Sequence, residues 1–250
     1  MNNTVVRVIS ASVALLIVGI MGVYLPSEWM PVFFYIIAYL LALESIGLLG
    51  IPYHYLLALV VLPMVWGVNS YLPEAVYLLL LSWAIRVVCM FLGKRLQPVV
   101  LSLLQLYDIS VMVAATIGLY QMNHQLLILT VMTIIGIDSV GYFAGKAYGK
   151  HRIVPKISPN KSLEGYIGAL LWVLVVSSIL LIVNEIPILR LTLVMGMVYI
   201  LAITGDLLVS YQKRILKVKD SGSLMPGHGG LLDRFDSWLF VIPFMLFIVK

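Results

Sequence analysis

Residues 210–236 read SYQKRILKVKDSGSLMPGHGGLLDRFD, a polar stretch in an otherwise greasy chain. Lys213, Arg214, Lys217, Lys219 and Arg234 supply positive charge, and Asp220, Asp233 and Asp236 supply negative charge. Gly227, Gly229 and Gly230 surround His228, so the backbone there can adopt conformations closed to other residues and approach a ligand closely. Apolar runs flank the stretch on both sides, which sets it at a membrane surface. Arginine and lysine suit phosphate oxygens, and clustered aspartates suit a hard cation such as Mg²⁺. Together they point to chemistry on a phosphorylated substrate.

Working outward, the 250 residues are 62% hydrophobic and 11% charged, with a mean hydropathy of +1.07. Apolar runs of about 20 residues, each enough to cross a ~30 Å hydrocarbon core, recur along the chain. The expected fold is therefore all-α: a polytopic integral membrane protein forming a single transmembrane domain over residues 1–250. About nine spans are expected, over residues 5–25, 30–49, 53–68, 72–92, 99–120, 126–148, 163–183, 188–215 and 233–249. Residues 1–125 supply the N-terminal helices, and residues 126–250 carry the helices and polar loops with the motifs. Too little polar sequence remains for a separate soluble domain. Cys89 is the single cysteine, which excludes an intrachain disulfide and reads as a small buried hydrophobe.

Lysine and arginine bias orients the chain. Arg7, Lys94, Arg95, Lys146, Lys150, Arg152, Lys156, Lys161 and the 213–219 cluster fall on one side. Arg190 and Lys250 fall on the other, with Glu28, Glu74 and Glu185. The N-terminus and the connections 149–162 and 216–232 are expected in the cytoplasm.

Within this frame Asp206, Ser210, Lys213 and Lys217 recur at spacings of four, three and four, one face of a helix. Snorkelling explains Lys213 and Lys217 alone, but not Asp206 deeper in apolar sequence. Asp138 stands in the sixth span with Gly141, Gly145 and Gly149 on helical spacing, a pattern that lets another backbone pack closely. By helix rise, Glu44, Asp138, Asp206 and Asp233 share a level in the cytoplasmic third of the bilayer. Asp108 lies nearer the middle, either in a pocket or as a structural partner of Arg86. His54, His124 and His151 read as interfacial residues.

The segment from DLLVS at 206–210 through Asp236 resembles the signature of phosphatidate cytidylyltransferases, the CDP-diacylglycerol synthases. The matching positions are Ser210, Lys213-Arg214, Lys219-Asp220, Pro226, His228-Gly229-Gly230, Asp233-Arg234 and Asp236, with departures at Gln212 and Met225. DSVGYFAG at 138–145 and ISPNKSLEG at 157–165 resemble two further family elements, the second through Ser158, Pro159, Lys161, Glu164 and Gly165. The resemblance implies a reaction in which phosphatidic acid attacks CTP, releasing pyrophosphate and forming CDP-diacylglycerol in the inner membrane, with the active site facing the cytoplasm. It implies Mg²⁺, with room for a second cation, and no nucleic-acid partner; a homo-oligomer stays open. Asp206 and Asp233 are the first choices as metal ligands, followed by Asp138, Asp220 and Asp236. Lys161, Lys213, Arg214, Lys219 and Arg234 would neutralise phosphates, and Ser158 and Ser210 would donate hydrogen bonds to them, beside Gly229 and Gly230. His228 could act as an acid or base, or orient the loop or donate to phosphate; because the attacking phosphate is already anionic, the binding role is preferred. The alternatives are a different phosphorylated lipid alcohol as acceptor, a secondary transporter, or a non-catalytic membrane scaffold.

Overall fold

The computed structural model describes residues 24, 26–94, 96–183, 187–225 and 229–249. A 3₁₀ turn at Ser27–Trp29 leads into α1 (Met30–Gly47), whose Pro31 sits in the first turn, where a proline loses no internal bond. Then come α2 (His54–Ser70), α3 (Leu72–Phe91), α4 (Pro98–Tyr148), α5 (Leu163–Val183), α6 (Ile188–Ile215), the single turn α7 (Leu232–Phe235) and α8 (Trp238–Val249). Among the described residues there are isolated bridges, Arg152 with Ser162 and Met225 with Gly229, but no strand.

Five of these helices are long and apolar enough to cross a membrane, counting α1 from Ser27, and α2 and α8 are shorter apolar helices. The expected fifth and sixth spans are two arms of α4, broken at Asn123, whose backbone is non-helical (φ −158°, ψ 87°). Asn123 Oδ1 accepts from Leu126 N at 3.0 Å, the bond of a helix N-cap, so the second arm restarts there. The bend is sharp. Gln212 Nε2 donates to Gln105 Oε1 at 2.6 Å, while Asp138 shares cavities with Asp206. Residues 206 and 212 are about 9 Å apart along α6, whereas a straight helix would separate 105 from 138 by about 50 Å. Both arms therefore return to α6. The expected ninth span divides into α7 and α8. The first span, residues 5–25, lies outside the described residues, so the count of nine rests on sequence.

The middle of the bundle is built from α8 and the first arm of α4. Leu239–Leu246 is buried around the whole helix, as is most of residues 105–117. These helices form the core, whereas α5, apolar on every side as a membrane span is, turns Leu171, Leu174, Ile179 and Ile182 outward. The second arm of α4 packs on α5 through glycines. A Cβ at Gly165 would lie 2.8 Å from Gly141 O, and one at Gly168 would lie 2.5 Å from Ala144 Cβ. The packing role of the 141–145 spacing is thus met, and that contact brings the 149–162 loop beside Asp138. Deeper in the bundle Arg86 holds Asp108 through both oxygens, at 2.6 and 2.9 Å, with its guanidinium over Phe240. Asp108 is the structural partner of Arg86.

Candidate active site

The site forms where α6, the second arm of α4 and the segment entering α8 converge. Gly205 makes this possible: a Cβ there would lie 2.8 Å from Asp236 O and 3.1 Å from the Phe240 ring. Without that clearance the backbone carrying Asp236 could not reach α6 beside Asp206. The 149–162 loop closes the arrangement, placing Lys161 Nζ 2.5 Å from Asp206 Oδ2. Its base is tied down by Glu164, which accepts from Lys150 N at 3.0 Å and from His151 Nδ1 at 2.7 Å. Arg214 Nε adds a bond to Ile157 O at 3.0 Å, fastening the loop to the end of α6.

Two cavities meet at this ion pair. One, of about 430 Å³, is lined by Lys146, Arg152, Asn160 and Tyr166 among others; the second, of about 410 Å³, by Asp233, Arg234 and Asp236. Asp138, Tyr142, Lys161 and Asp206 line both. Burial alone would lower the pKa of Lys161, but the charges of Asp206, Asp138 and Asp236 outweigh it and hold the ammonium protonated. The described carboxylate, imidazole and thiol groups nowhere gather by threes into a ready-made metal cage. Their chemistry nonetheless fits a hard cation: Asp138, Asp206 and Asp236 line one cavity, and the Lys161 ammonium already pairs with Asp206 there.

The other polar connection folds over the same end. Helix α6 stops at Ile215 in a Schellman turn, with Val218 N on Lys213 O at 2.9 Å and Lys217 N on Arg214 O at 3.2 Å. Lys217 takes the left-handed position (φ +59°) and is exposed. The expected four-residue stripe therefore ends at Lys213, because the helix terminates before it can present Lys217 on that face. Lys213 Nζ pairs with Asp233 Oδ1 at 2.6 Å, and Asp233 Oδ2 accepts from Ser221 N at 2.9 Å and Gly230 N at 3.0 Å. Burial pushes the Asp233 pKa up, but the Lys213 ammonium and the two backbone donors overcome that and hold it below the usual value.

A sequence profile of the Cytidylyltransferase family matches residues 5–250. The chain belongs to that family. Over 114 residues it is 46% identical to a phosphatidate cytidylyltransferase of Bacillus subtilis, a match covering 45% of this chain and 42% of the relative. Phosphatidate cytidylyltransferases of Staphylococcus haemolyticus and Staphylococcus aureus are 45% and 44% identical over 111 residues, again covering 43% of this chain and 42% of each relative. The matched stretch thus spans well under half the length of these curated relatives.

Of the residues singled out in this cytidylyltransferase family member, Asp138, Lys161, Asp206, Asp233, Arg234 and Asp236 come together around one cavity. Lys213 joins them through Asp233. Ser158 and Ser210 do not line either cavity: Ser158 is half-buried in its loop and Ser210 is buried on α6. Lys219 and Asp220 are exposed, and Asp220 Cβ would crowd a side chain at Gly229 to 3.2 Å. Gly229 (φ +87°) packs on Asp233 and Gly230 on Ser221 and Glu44, so their smallness serves the loop's closure. His228 lies outside the described residues. Cys89 is half-buried in α3. Residue chemistry alone did not single out Tyr166, whose buried hydroxyl in the wall of the first cavity lacks a hydrogen-bond partner, nor Glu44 as part of the loop. Glu44 was legible only as a carboxylate at the right depth.

Proposed function

We propose that this protein makes CDP-diacylglycerol and pyrophosphate from CTP and phosphatidic acid, with its reaction centre at the junction of the two cavities. The observation that carries the proposal is that junction: two spaces of ligand size share the Lys161–Asp206 pair, one with a basic lining and one with an acidic lining. Family membership and the names of the relatives supply the reaction.

In the proposed step an oxygen of the lipid phosphate attacks the α-phosphorus of CTP, and the bond from that phosphorus to the bridging oxygen breaks. The electron pair leaves with pyrophosphate. The attacking phosphate is already anionic, so no general base is required; positioning and charge neutralisation carry the rate. Lys146, Arg152 and Lys161 face the basic cavity and would hold triphosphate oxygens there. Arg234 lines the acidic cavity, where the lipid phosphate would lie against it. Lys213, held by Asp233 beside the acidic cavity, would stabilise charge developing on the transferring phosphoryl group. Asp138, Asp206 and Asp236 would hold Mg²⁺, which when bound supplies charge neutralisation between the two anionic substrates. Lys161, no longer needed by Asp206, would then be available to phosphate. The lysine and arginine bias supports a cytoplasmic position for this end of the bundle and for the N-terminus, where CTP would be available.

Purified protein in phospholipid nanodiscs, given CTP labelled at the α-phosphate and a panel of phosphorylated lipid alcohols, tests the proposal. The expected result is a labelled CDP-lipid and one equivalent of pyrophosphate with phosphatidic acid. Product with another acceptor alone would reassign the lipid, and no CTP-dependent product with any acceptor would remove the reaction.

A further inference from the structure

Glu44 lies near the end of α1, far in sequence from every other residue of the site. A carboxylate in a membrane-spanning helix is costly unless it faces the protein interior, and Glu44 is 5% exposed. Its Oε2 accepts from Leu232 N at 2.8 Å and from Ser221 Oγ at 3.2 Å. Gly222 and Gly230 pack directly on the carboxylate: a Cβ at Gly222 would fall 2.5 Å from Oε1, and one at Gly230 would fall 2.5 Å from Oε2. Oε1 has no hydrogen-bond partner. The segment that Glu44 grips is the one whose amides hold Asp233, through Ser221 N and Gly230 N. Asp233 in turn holds Lys213 at 2.6 Å.

We infer that Glu44 is a positioning residue: from α1 it locks Ser221 and Gly222 against Gly230 and Leu232, so that Asp233, with Lys213 paired behind it, is presented to the acidic cavity. The inference rests on the reaction proposed above for its kinetic consequences, and on geometry alone for the lock. The work is done by hydrogen bonds to Oε2, and no hydrogen bond is made to Oε1. An amide in place of the carboxylate can therefore keep the acceptor and lose nothing at the other atom. Glu44 lines neither cavity, which separates it from residues that would contact substrate.

The test compares Glu44→Ala with Glu44→Gln by hydrogen exchange without substrates and by steady-state kinetics. In Glu44→Ala the amides of Ser221, Gly230 and Leu232 should exchange at least about tenfold faster, because each depends on the lock. Amides in α5 should not change. kcat should fall about tenfold or more, with KM for CTP within about threefold, since the lost contribution is orientation of Lys213 and not substrate contact. Glu44→Gln should stay within about threefold of wild type in both measurements. If Glu44→Ala does not purify, Gly222→Ala supplies the same perturbation from the other side by driving a methyl against Oε1. Where both purify, the double variant should be no worse than Glu44→Ala alone. Equal damage by Gln and Ala would mean that charge, not positioning, is required, and unchanged exchange in Glu44→Ala would remove the lock. The exchange result stands even if wild-type protein shows no transfer from CTP.

Discussion

Replacing Lys213 by alanine isolates the contribution of a single buried charge to the site. Lys213 and Asp233 have side chains 11% and 10% exposed and meet at 2.6 Å. The substitution leaves Asp233 with two backbone donors on Oδ2 and nothing on Oδ1. A hydrogen bond to a charged group is worth roughly 1.5–3 kcal/mol. If Lys213 also acts on the transferring phosphoryl group, that amount is missing from the transition state, a loss in kcat of about 10- to 150-fold. Because the pair is shielded from water, the loss should persist as salt is raised and should not be repaired by more CTP or lipid. Lys217→Ala is the internal control: exposed beyond the end of α6, it should weaken apparent CTP binding less than about fivefold, with the deficit shrinking at higher ionic strength. Initial rates for both variants at two salt concentrations, with CTP and phosphatidic acid each varied through saturation, make the comparison. A pH series adds a sign. Asp233 is held below its usual pKa, so the stability it contributes is present above the ordinary carboxylate range of about pH 4 and is lost as pH falls below it. In Lys213→Ala that acid limb should move upward, because burial would no longer be opposed by the ammonium. Recovery of Lys213→Ala at high CTP, or equal binding-type losses in the two variants, would refute the placement of Lys213 at the reaction centre.

Asp206→Asn should abolish cytidylyl transfer while the protein inserts and purifies normally; near-normal turnover at ordinary Mg²⁺ would remove Asp206 from the proposed cation site. Arg86→Met strands the buried Asp108 carboxylate and should cost about 3–5 kcal/mol of stability, whereas Arg86→Met with Asp108→Leu should lie close to wild type. Thermal unfolding in detergent checks this, and a double variant less stable than either single one would contradict it. With Cys89 replaced, a single cysteine at Lys150 or Ser223 should react with an impermeant reagent only once the cytoplasmic face is exposed; labelling from outside intact cells would invert the proposed orientation.

Much of this arrangement was legible in the chain itself. Lipid demands apolar runs of about 20 residues, so the limits of α5 and α6 follow from composition. Helix rise put Glu44, Asp138, Asp206 and Asp233 at one depth, and the DLLVS and ISPNKSLEG segments pointed to the cytidylyltransferase family. Depth, however, says nothing about rotation or partner. Both lipid and neighbouring helices present apolar atoms, so sequence does not distinguish the face that meets one from the face that meets the other. Only tertiary contacts could assign Lys161, from a loop, to Asp206, and Lys213, from the helix that carries Asp206, to Asp233 instead. They also paired Gln212, one of the two positions that depart from the family pattern, with a buried Gln105 that bonds Ser45 as well. Lys217 left its stripe because α6 closed in a Schellman turn on a lysine, where no glycine marked the stop. Glu44 found its place because two glycines, Gly222 and Gly230, gave a carboxylate on α1 room to reach the backbone of Leu232, 188 residues away.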